Sequence, residues 1–560
     1  MTRPEPMRLG PFAGGMNTYS DPSGIQDNEL VDCVNLELDT DGSLVCRPAI
    51  RNLTGGHSAS PWTTRLKVIG QGVWDNTQVL FGTSALGAAS KPTLWYLSSP
   101  TSAWTLIANA PNGKEMRAVV QCGGMAVFIP AAAGQGGYWN PTDGWISDPN
   151  IPAGNAASYW KGRVWVVPGP NPAVAYTTDT VVAESRVRFT DPLIGKLSAT
   201  NMLVWDGPVE QGVHKNTNFF DVSNGDGQDL VDCTVYLDQL VLFKTDSTHV
   251  FAFESTMDTA LLRCINTEIG ATSRVCVAVY EDIIFTFHQG RVYEINNYQF
   301  TQINEKVPFV LDEFAPPGFT RENTCFVCVV EDRLIVRYFN RVYIYGLLTK
   351  TWSRLEAGKD TLGVTNQTLQ NVGYLRLFPS DNLRNIPKHY IGGSVLREET
   401  MVFEWIETPA VDVFETVDGA TRLTIDCSVT TKTIDVDDPF NFKKLSWWGL
   451  DVISGKNVTA IVRPIQLHWA STWDNISNQS WDSLLTWDHL TDTPYFIEDI
   501  VIDASVPMRK FYKVQKALRF RLISFNVIMH SDASTKDGPA RLFTIVPWIG
   551  RKETVVKRVS

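Results

Sequence analysis

The densest group of residues able to do chemistry is a run of three Trp-Asp pairs. Trp473-Asp474, Trp481-Asp482 and Trp487-Asp488 lie within Ser471–His489. An indole face can stack on a sugar ring while the neighbouring carboxylate accepts its hydroxyls. The same pairs can equally form a rigid aromatic loop packed on a sheet, or the aromatic centre of a subunit interface. Packing is the reading favoured here, and sugar stacking stays open beside it.

Other constellations are weaker. Asp221-Val-Ser-Asn-Gly-Asp-Gly-Gln-Asp229 has the look of a calcium loop. An EF-hand needs oxygen ligands at alternate positions and a long-reaching Glu at the end, whereas position five here is Gly225 and position twelve is Asp232. It reads as a turn with mild ion affinity. The eight His are scattered, and His288, in Phe285-Thr-Phe-His-Gln-Gly290, reads as a polar turn residue. HExxH, G-x-S-x-G, P-loop and G-x-G-x-x-G patterns are all missing from the chain. Sixty Asp and Glu supply carboxylate pairs in any fold, and nothing singles out one pair for glycoside hydrolysis. Cys325 and Cys328 form the one CxxC among nine Cys, inside an apolar run of strand type. Residues three apart on a strand point to opposite faces, so joint zinc ligation is not expected. These two read as buried thiols of a chain made in a reducing cytosol. No catalytic residue, metal or cofactor is expected, and the chain is not read as an enzyme.

Composition narrows the classes further. The chain of 560 residues is 44% hydrophobic and only 19% charged, which excludes a disordered polymer. A net charge of −11 argues against sequence-specific nucleic-acid binding, which needs a basic face. The exception is the end of the chain, where Arg551, Lys552, Lys557 and Arg558 outnumber Glu553. The opening Met-Thr-Arg-Pro-Glu-Pro lacks the apolar core of a signal peptide. No stretch reaches the roughly 18 apolar residues of a spanning helix, so membrane insertion is not expected.

What must position any site is β structure. Runs rich in Val, Ile, Tyr, Phe and Trp, such as Arg117–Ile129, Leu237–Phe243, Val275–Phe287 and Cys325–Tyr338, are bounded by Gly, Asn, Asp and Pro. Val277-Ala-Val-Tyr-Glu-Asp-Ile-Ile284 aligns with Val327-Cys-Val-Val-Glu-Asp-Arg-Leu334, and Arg-Val-Tyr recurs at 291–293 and 341–343, both at an offset of 50 residues. The repeating unit is strand, acidic turn (Glu281-Asp282, Glu331-Asp332), strand, turn, strand. Several units end in an aromatic strand, a polar turn and a Trp, as in Gly137-Tyr-Trp-Asn140 followed by Trp145, and Val342-Tyr-Ile-Tyr345 followed by Trp352. Such a Trp is expected to pack between neighbouring sheets.

A period of about 40–50 residues with three or four strands is that of β-propeller blades. Blades are expected near 62–107, 114–148, 156–195, 228–268, 272–306 and 322–356, with a seventh at 361–400. The Trp-Asp pairs, separated by eight and then six residues, are too close together for a WD40 signature, which recurs once per blade. The fold expected is all-β, a propeller of six or seven blades over 56–400. An N-terminal arm with a hairpin (1–55) precedes it, and a C-terminal β-sandwich or jelly roll (401–560) carrying the Trp-Asp loop follows.

Three stretches carry a resemblance. They are Gly14-Gly-Met-Asn-Thr18 with Asp27-Asn-Glu29, Val34-Asn-Leu36 and Asp41-Gly-Ser-Leu-Val-Cys-Arg-Pro48; then Gly225-Asp-Gly227 with Leu240-Val-Leu-Phe-Lys244 and Val250-Phe251; and Ala517-Leu-Arg-Phe-Arg521 with Gly538-Pro-Ala-Arg541 and Lys552-Glu-Thr-Val-Val556. Their order resembles structural proteins of bacteriophage tails, both minor tail proteins of long-tailed phages and tail tubular protein B, the nozzle of short-tailed phages. The resemblance implies an architectural propeller repeated around a tail axis, with no catalytic residues to carry over. It places the chain in the virion, at the tail tip or lower tail, after synthesis in the host cytoplasm. The partners implied are copies of itself and other tail proteins. Two rivals stand beside it: a host-recognition module using Trp473, Trp481 and Trp487 on envelope glycans, and a propeller glycosidase.

Overall fold

β-Branched and aromatic runs fill a pleat buried on both faces, and the pairs that bound them reach the dihedrals of tight hairpins. A computed structural model of the chain describes 5–168, with breaks at 48, 53–65, 76, 85–92, 99–104, 109, 111–114 and 132–133. It describes 185–309, with breaks at 206–208, 211–212, 215–217, 224 and 255–256, and 325–356, with breaks at 331 and 339–340. Beyond these it describes 376–378, 390–394, 400–406, 411–416, 419–425, 427–434, 443–453, 458–465, 496–500, 510–520, 522–529 and 541–551. The three Trp-Asp pairs, Glu331 and the basic residues beyond Arg551 lie outside the described residues.

Six sheets share one design, four antiparallel strands in sequence order. Blade one is Leu66–Trp74, Thr77–Ser84, Leu94–Leu97 and Thr105–Leu106; blade two is Met116–Cys122, Met125–Pro130, Gly137–Asn140 and Gly144–Ser147. Blade three is Ala156–Trp160, Arg163–Val167, Arg186–Phe189 and Phe219–Asp221; blade four is Leu230–Tyr236, Gln239–Lys244, Thr248–Ala252 and Leu261–Asn266. Blade five is Val277–Tyr280, Ile283–His288, Arg291–Asn296 and Gln299–Gln302; blade six is Cys325–Val330, Arg333–Tyr338, Arg341–Gly346 and Thr351–Leu355. Blade three runs past its expected end at 195, because its fourth strand arrives only after a long insertion.

A seventh sheet begins with Arg376–Phe378, Tyr390–Ser394 and Thr400–Ile406, and its fourth strand is Ala49–Asn52, from the other end of the chain. The first strand of every blade contacts the first strand of the next. Arg376–Phe378 touches both Cys325–Val330 and Leu66–Trp74, which closes the circle. Among the described residues the chain is therefore a seven-bladed ring, fastened by a strand that precedes blade one in sequence. The hairpin Val411–Thr416 and Gly419–Thr424 extends the seventh sheet outward.

Alternation within each strand builds the ring. Ala126 and Phe128 face blade one, while Val127 and Ile129 face blade three. Val164 and Val166 face blade two, while Trp165 and Val167 face blade four. Burial on both faces is why these strands read as continuous apolar runs. Of the unit-ending Trp residues, half-buried Trp145 packs on Phe128 of its own blade at 5.4 Å, beside the core shared with blade one, and Trp352 meets Phe309, in the segment after blade five, at 5.7 Å. Hairpin turns at Lys161-Gly162, Leu237-Asp238 and Asn297-Tyr298 hold both central residues at positive φ, as a mirror-image type I′ turn demands.

The remaining strands form a two-sheet sandwich. One sheet runs Leu36–Leu38, Leu44–Cys46, Arg541–Arg551, Lys443–Ile453 and Lys510–Phe520, with Glu5–Pro6 beside Arg541–Arg551. The other runs Glu29–Val34, Cys427–Thr431, Leu522–Met529, Val458–Ile465 and Phe496–Ile500. It is joined to blade six, because Val34 bridges Arg354 in parallel. Fully buried Trp448 of the first sheet packs on Phe525 of the second at 6.0 Å. The N-terminal segment is thus not the separate arm expected from sequence. Its strands lie inside the C-terminal sandwich, because Leu9, Phe12, Leu30, Leu36 and Leu44 can leave water only against Ile545, Val429 and their neighbours. Among the described residues no helix is long and apolar enough to cross a membrane.

Candidate functional site

Of the residues singled out in the sequence, the structure places Glu281, Asp282 and Asp332. Glu281 and Asp282 make the turn between the first two strands of blade five, with Glu281 at φ 49°. The Asp282 carbonyl accepts the Tyr236 hydroxyl of blade four at 2.8 Å, so this acidic turn ties two blades. Asp332 occupies the equivalent turn of blade six, where its carboxylate pairs with Arg333 at 3.0 Å. The Glu281-Asp282 turn is thus a joint between two blades. Trp473, Asp474, Trp481, Asp482, Trp487, Asp488 and Glu331 lie outside the described residues. His288 ends its strand at the Gln289-Gly290 turn and is buried there, with Nε2 3.9 Å from Asp246. Desolvation lowers its pKa, with Asp246 opposing that shift.

The loop with the calcium look holds a cation of the chain's own. Lys244, fully buried at the end of the second strand of blade four, places its Nζ at 2.6 and 2.7 Å from the Asp226 carboxylate oxygens. It also donates to the carbonyls of Val222 at 3.0 Å and Ser223 at 3.2 Å, and to the Ser185 hydroxyl at 3.3 Å. An ammonium fills the oxygen cage that the loop builds, which corrects the reading of a turn with ion affinity. The ion is covalently attached, and it joins blade three to blade four. Among the described residues, no group of three or more His, Cys, Asp and Glu is placed to hold a metal ion.

The central channel is where propeller chemistry would be expected. Its seven innermost strands contain a single carboxylic residue, Asp232. At one end, Arg274, from the loop entering blade five, reaches across to blades two and three. It donates to the carbonyls of Arg117 at 2.6 Å and Asn155 at 3.2 Å. Arg117 in turn donates to the Asn155 side chain and lies 3.8 Å from Glu115. These groups bridge blades across the ring.

The most elaborate polar cluster lies where blade six meets the sandwich. Buried Arg47 donates from Nε to the Asn35 side chain at 2.9 Å and from Nη2 to the Glu356 carbonyl at 3.0 Å. Asn35, at φ 57°, also accepts the Glu356 amide at 2.8 Å, and its own amide donates to the Arg354 carbonyl at 2.8 Å. Two ion pairs flank it, Arg333 to Glu37 at 2.6 Å and Arg354 to Asp32 at 2.9 Å. Burial pushes both carboxyls up, against the pull of the two guanidiniums. Gly15 lies against Thr351 of blade six, where a Cβ would come within 2.7 Å, at a φ of +67° that favours glycine. Gly15, Asn35, Arg47 and Lys244 stand out in the sequence only through a resemblance, and Asp226 through that and the calcium-like loop. Their partners lie tens to hundreds of residues away, and no local pattern announces them.

No protein-family profile and no curated protein matches the chain. Solved structures similar to it include the WD40 domain of Pan2 from Neurospora crassa, at 9% identity and a TM-score of 0.35, covering 65% of this chain and 96% of that one. Apo AztD from Citrobacter koseri is similar at 11% identity and a TM-score of 0.31, covering 52% and 85%. An exo-β-1,3-galactanase from Phanerochaete chrysosporium is similar at 9% identity and a TM-score of 0.24, covering 86% and 95%. Nothing about chemistry follows from likenesses this distant; the propeller is defined by strand order and by the closed ring of inner strands.

Proposed function

We propose that this chain is a structural protein of a bacteriophage tail, at the tail tip or lower tail. There a rigid propeller would assemble with copies of itself and with other tail proteins around the tail axis. One observation carries the reading. The residues of the resemblance are the joints of the fold: Gly15, Asn35 and Arg47 weld the sandwich to blade six, and Asp226 with Lys244 welds blade three to blade four. A motif spent on joints suits a part whose task is to hold shape. Interface centres favour aromatic residues and exclude charge, which suits a chain with 18 Trp and only 19% charged residues.

The test is immunogold electron microscopy of virions with antibody raised against the purified chain. Gold at the distal tail is the expected result. Gold absent from every virion, with strong binding of the purified chain to an envelope-glycan array, would transfer the assignment to recognition through Trp473, Trp481 and Trp487. Release of reducing sugar by the chain would transfer it to an enzyme.

A further inference from the structure

Four of the nine cysteines are brought together in two pairs that nothing in the spacing announced. Cys276, in the segment entering the innermost strand of blade five, has its Sγ 2.7 Å from that of Cys325, the first residue of the innermost strand of blade six. Cys46, at the end of a strand in one sandwich sheet, has its Sγ 2.9 Å from that of Cys427, which opens a strand of the facing sheet. All four are buried free thiols. The members are 49 and 381 residues apart in sequence. Cys33 and Cys328 lie near carbonyls, of Leu36 and Ile335. Cys325 packs with Val327 and Val329 on the side of its strand opposite Cys328, so the CxxC is not the pair.

We propose that Cys276–Cys325 and Cys46–Cys427 are latent disulfides that a small peroxide oxidant closes. Either gap lies within about 1 Å of a bonded sulfur–sulfur distance. One thiolate attacks a peroxide oxygen; the O–O bond breaks and hydroxide leaves, giving a sulfenic acid. The partner thiolate attacks that sulfur; the S–S bond forms, the S–O bond breaks and a second hydroxide leaves. In balance, two thiols and one hydrogen peroxide give one disulfide and two waters, with two electrons passing from sulfur to peroxide. Burial disfavours the thiolate, so closure follows local opening, and the finished bridge is shielded from reductant. The pairs sit where covalent closure constrains most. The first pins adjacent inner strands of the ring. The second closes a loop that contains the whole propeller and ties the N-terminal strands to the sandwich.

The experiment uses the full chain purified under reducing conditions, treated with hydrogen peroxide, unfolded and alkylated. Alkylatable thiols fall from nine to five, the four paired cysteines being protected. Peptide mapping returns the two bridges, and a reductant restores all nine. The oxidised chain melts about 5 °C or more above the reduced one. Cys325→Ala abolishes the first bridge alone, Cys427→Ala the second alone, and Cys328→Ala neither. Nine alkylatable thiols after treatment, a Cys325–Cys328 bridge, or sulfinic acids at these positions would overturn the proposal. Mapping of the wild-type chain decides it even where a variant fails to fold.

Discussion

Lys244 shows how a single residue can be read two ways. In sequence it ends an apolar strand, where a charge is out of place; in the fold it is the cation of the Asp221–Asp229 loop. Breaking a buried ion pair leaves a charge without its partner, so Lys244→Met should cost about 3–5 kcal/mol in equilibrium unfolding. Asp226→Asn should cost less, because its amide still offers one oxygen to the ammonium. The neighbouring imidazoles set a pH dependence. Desolvation lowers the pKa of His249, helped by Lys244, and lowers that of His288 despite Asp246. The fold disfavours the protonated form of both rings, while in the unfolded chain they take up protons near pH 6.5. Their contribution is complete above that pH and is lost as pH falls toward the depressed folded values. Thermal unfolding at pH 7.5 and 5.5 should therefore show a lower melting temperature in acid, and His288→Gln should shrink the difference.

At the scale of elements, local signals were legible and distant pairings were not. The 50-residue offset marks blades five and six because each hairpin repeats the same turn chemistry over continuous apolar strands. The hairpin Leu36–Leu38 and Leu44–Cys46, part of the N-terminal hairpin expected within 1–55, turns near Asp41-Gly42, an equally local signal. By contrast, Ala49–Asn52 completes blade seven by pairing with Thr400–Ile406, and Glu29–Val34 pairs with Cys427–Thr431. Hydrophobic pattern says that a strand has a buried face, but not which strand hundreds of residues away will cover it. The same limit hid the thiol pairs and the Arg47 cluster. Arg47→Ala should cost about 2–3 kcal/mol, because it strands the acceptors on Asn35 and Glu356. Arg47→Lys should recover only part of this, since an ammonium lacks the planar fork. Chemical denaturation of the two variants measures both. A chain lacking residues 1–52 loses Glu5–Pro6, Glu29–Val34 with Gly15–Met16 beside it, Leu36–Leu38 and Leu44–Cys46 from the sandwich, and the fastening strand of the ring. It is expected to be cleaved rapidly within the propeller under limited proteolysis that leaves the full chain intact.

At the scale of the whole molecule, the two termini, the ring and the sandwich are mutually dependent. The chain starts in the sandwich, fastens blade seven, circuits the ring and returns to the sandwich, where its last described strand pairs with its first. The central claim is assembly, and negative-stain electron microscopy of the purified full chain, with its mass in solution, tests it most directly. The account predicts closed rings or stacked discs of constant copy number, each copy showing a propeller disc with an attached lobe. A single 62.5 kDa particle at every concentration, unchanged by the other tail proteins, would contradict it.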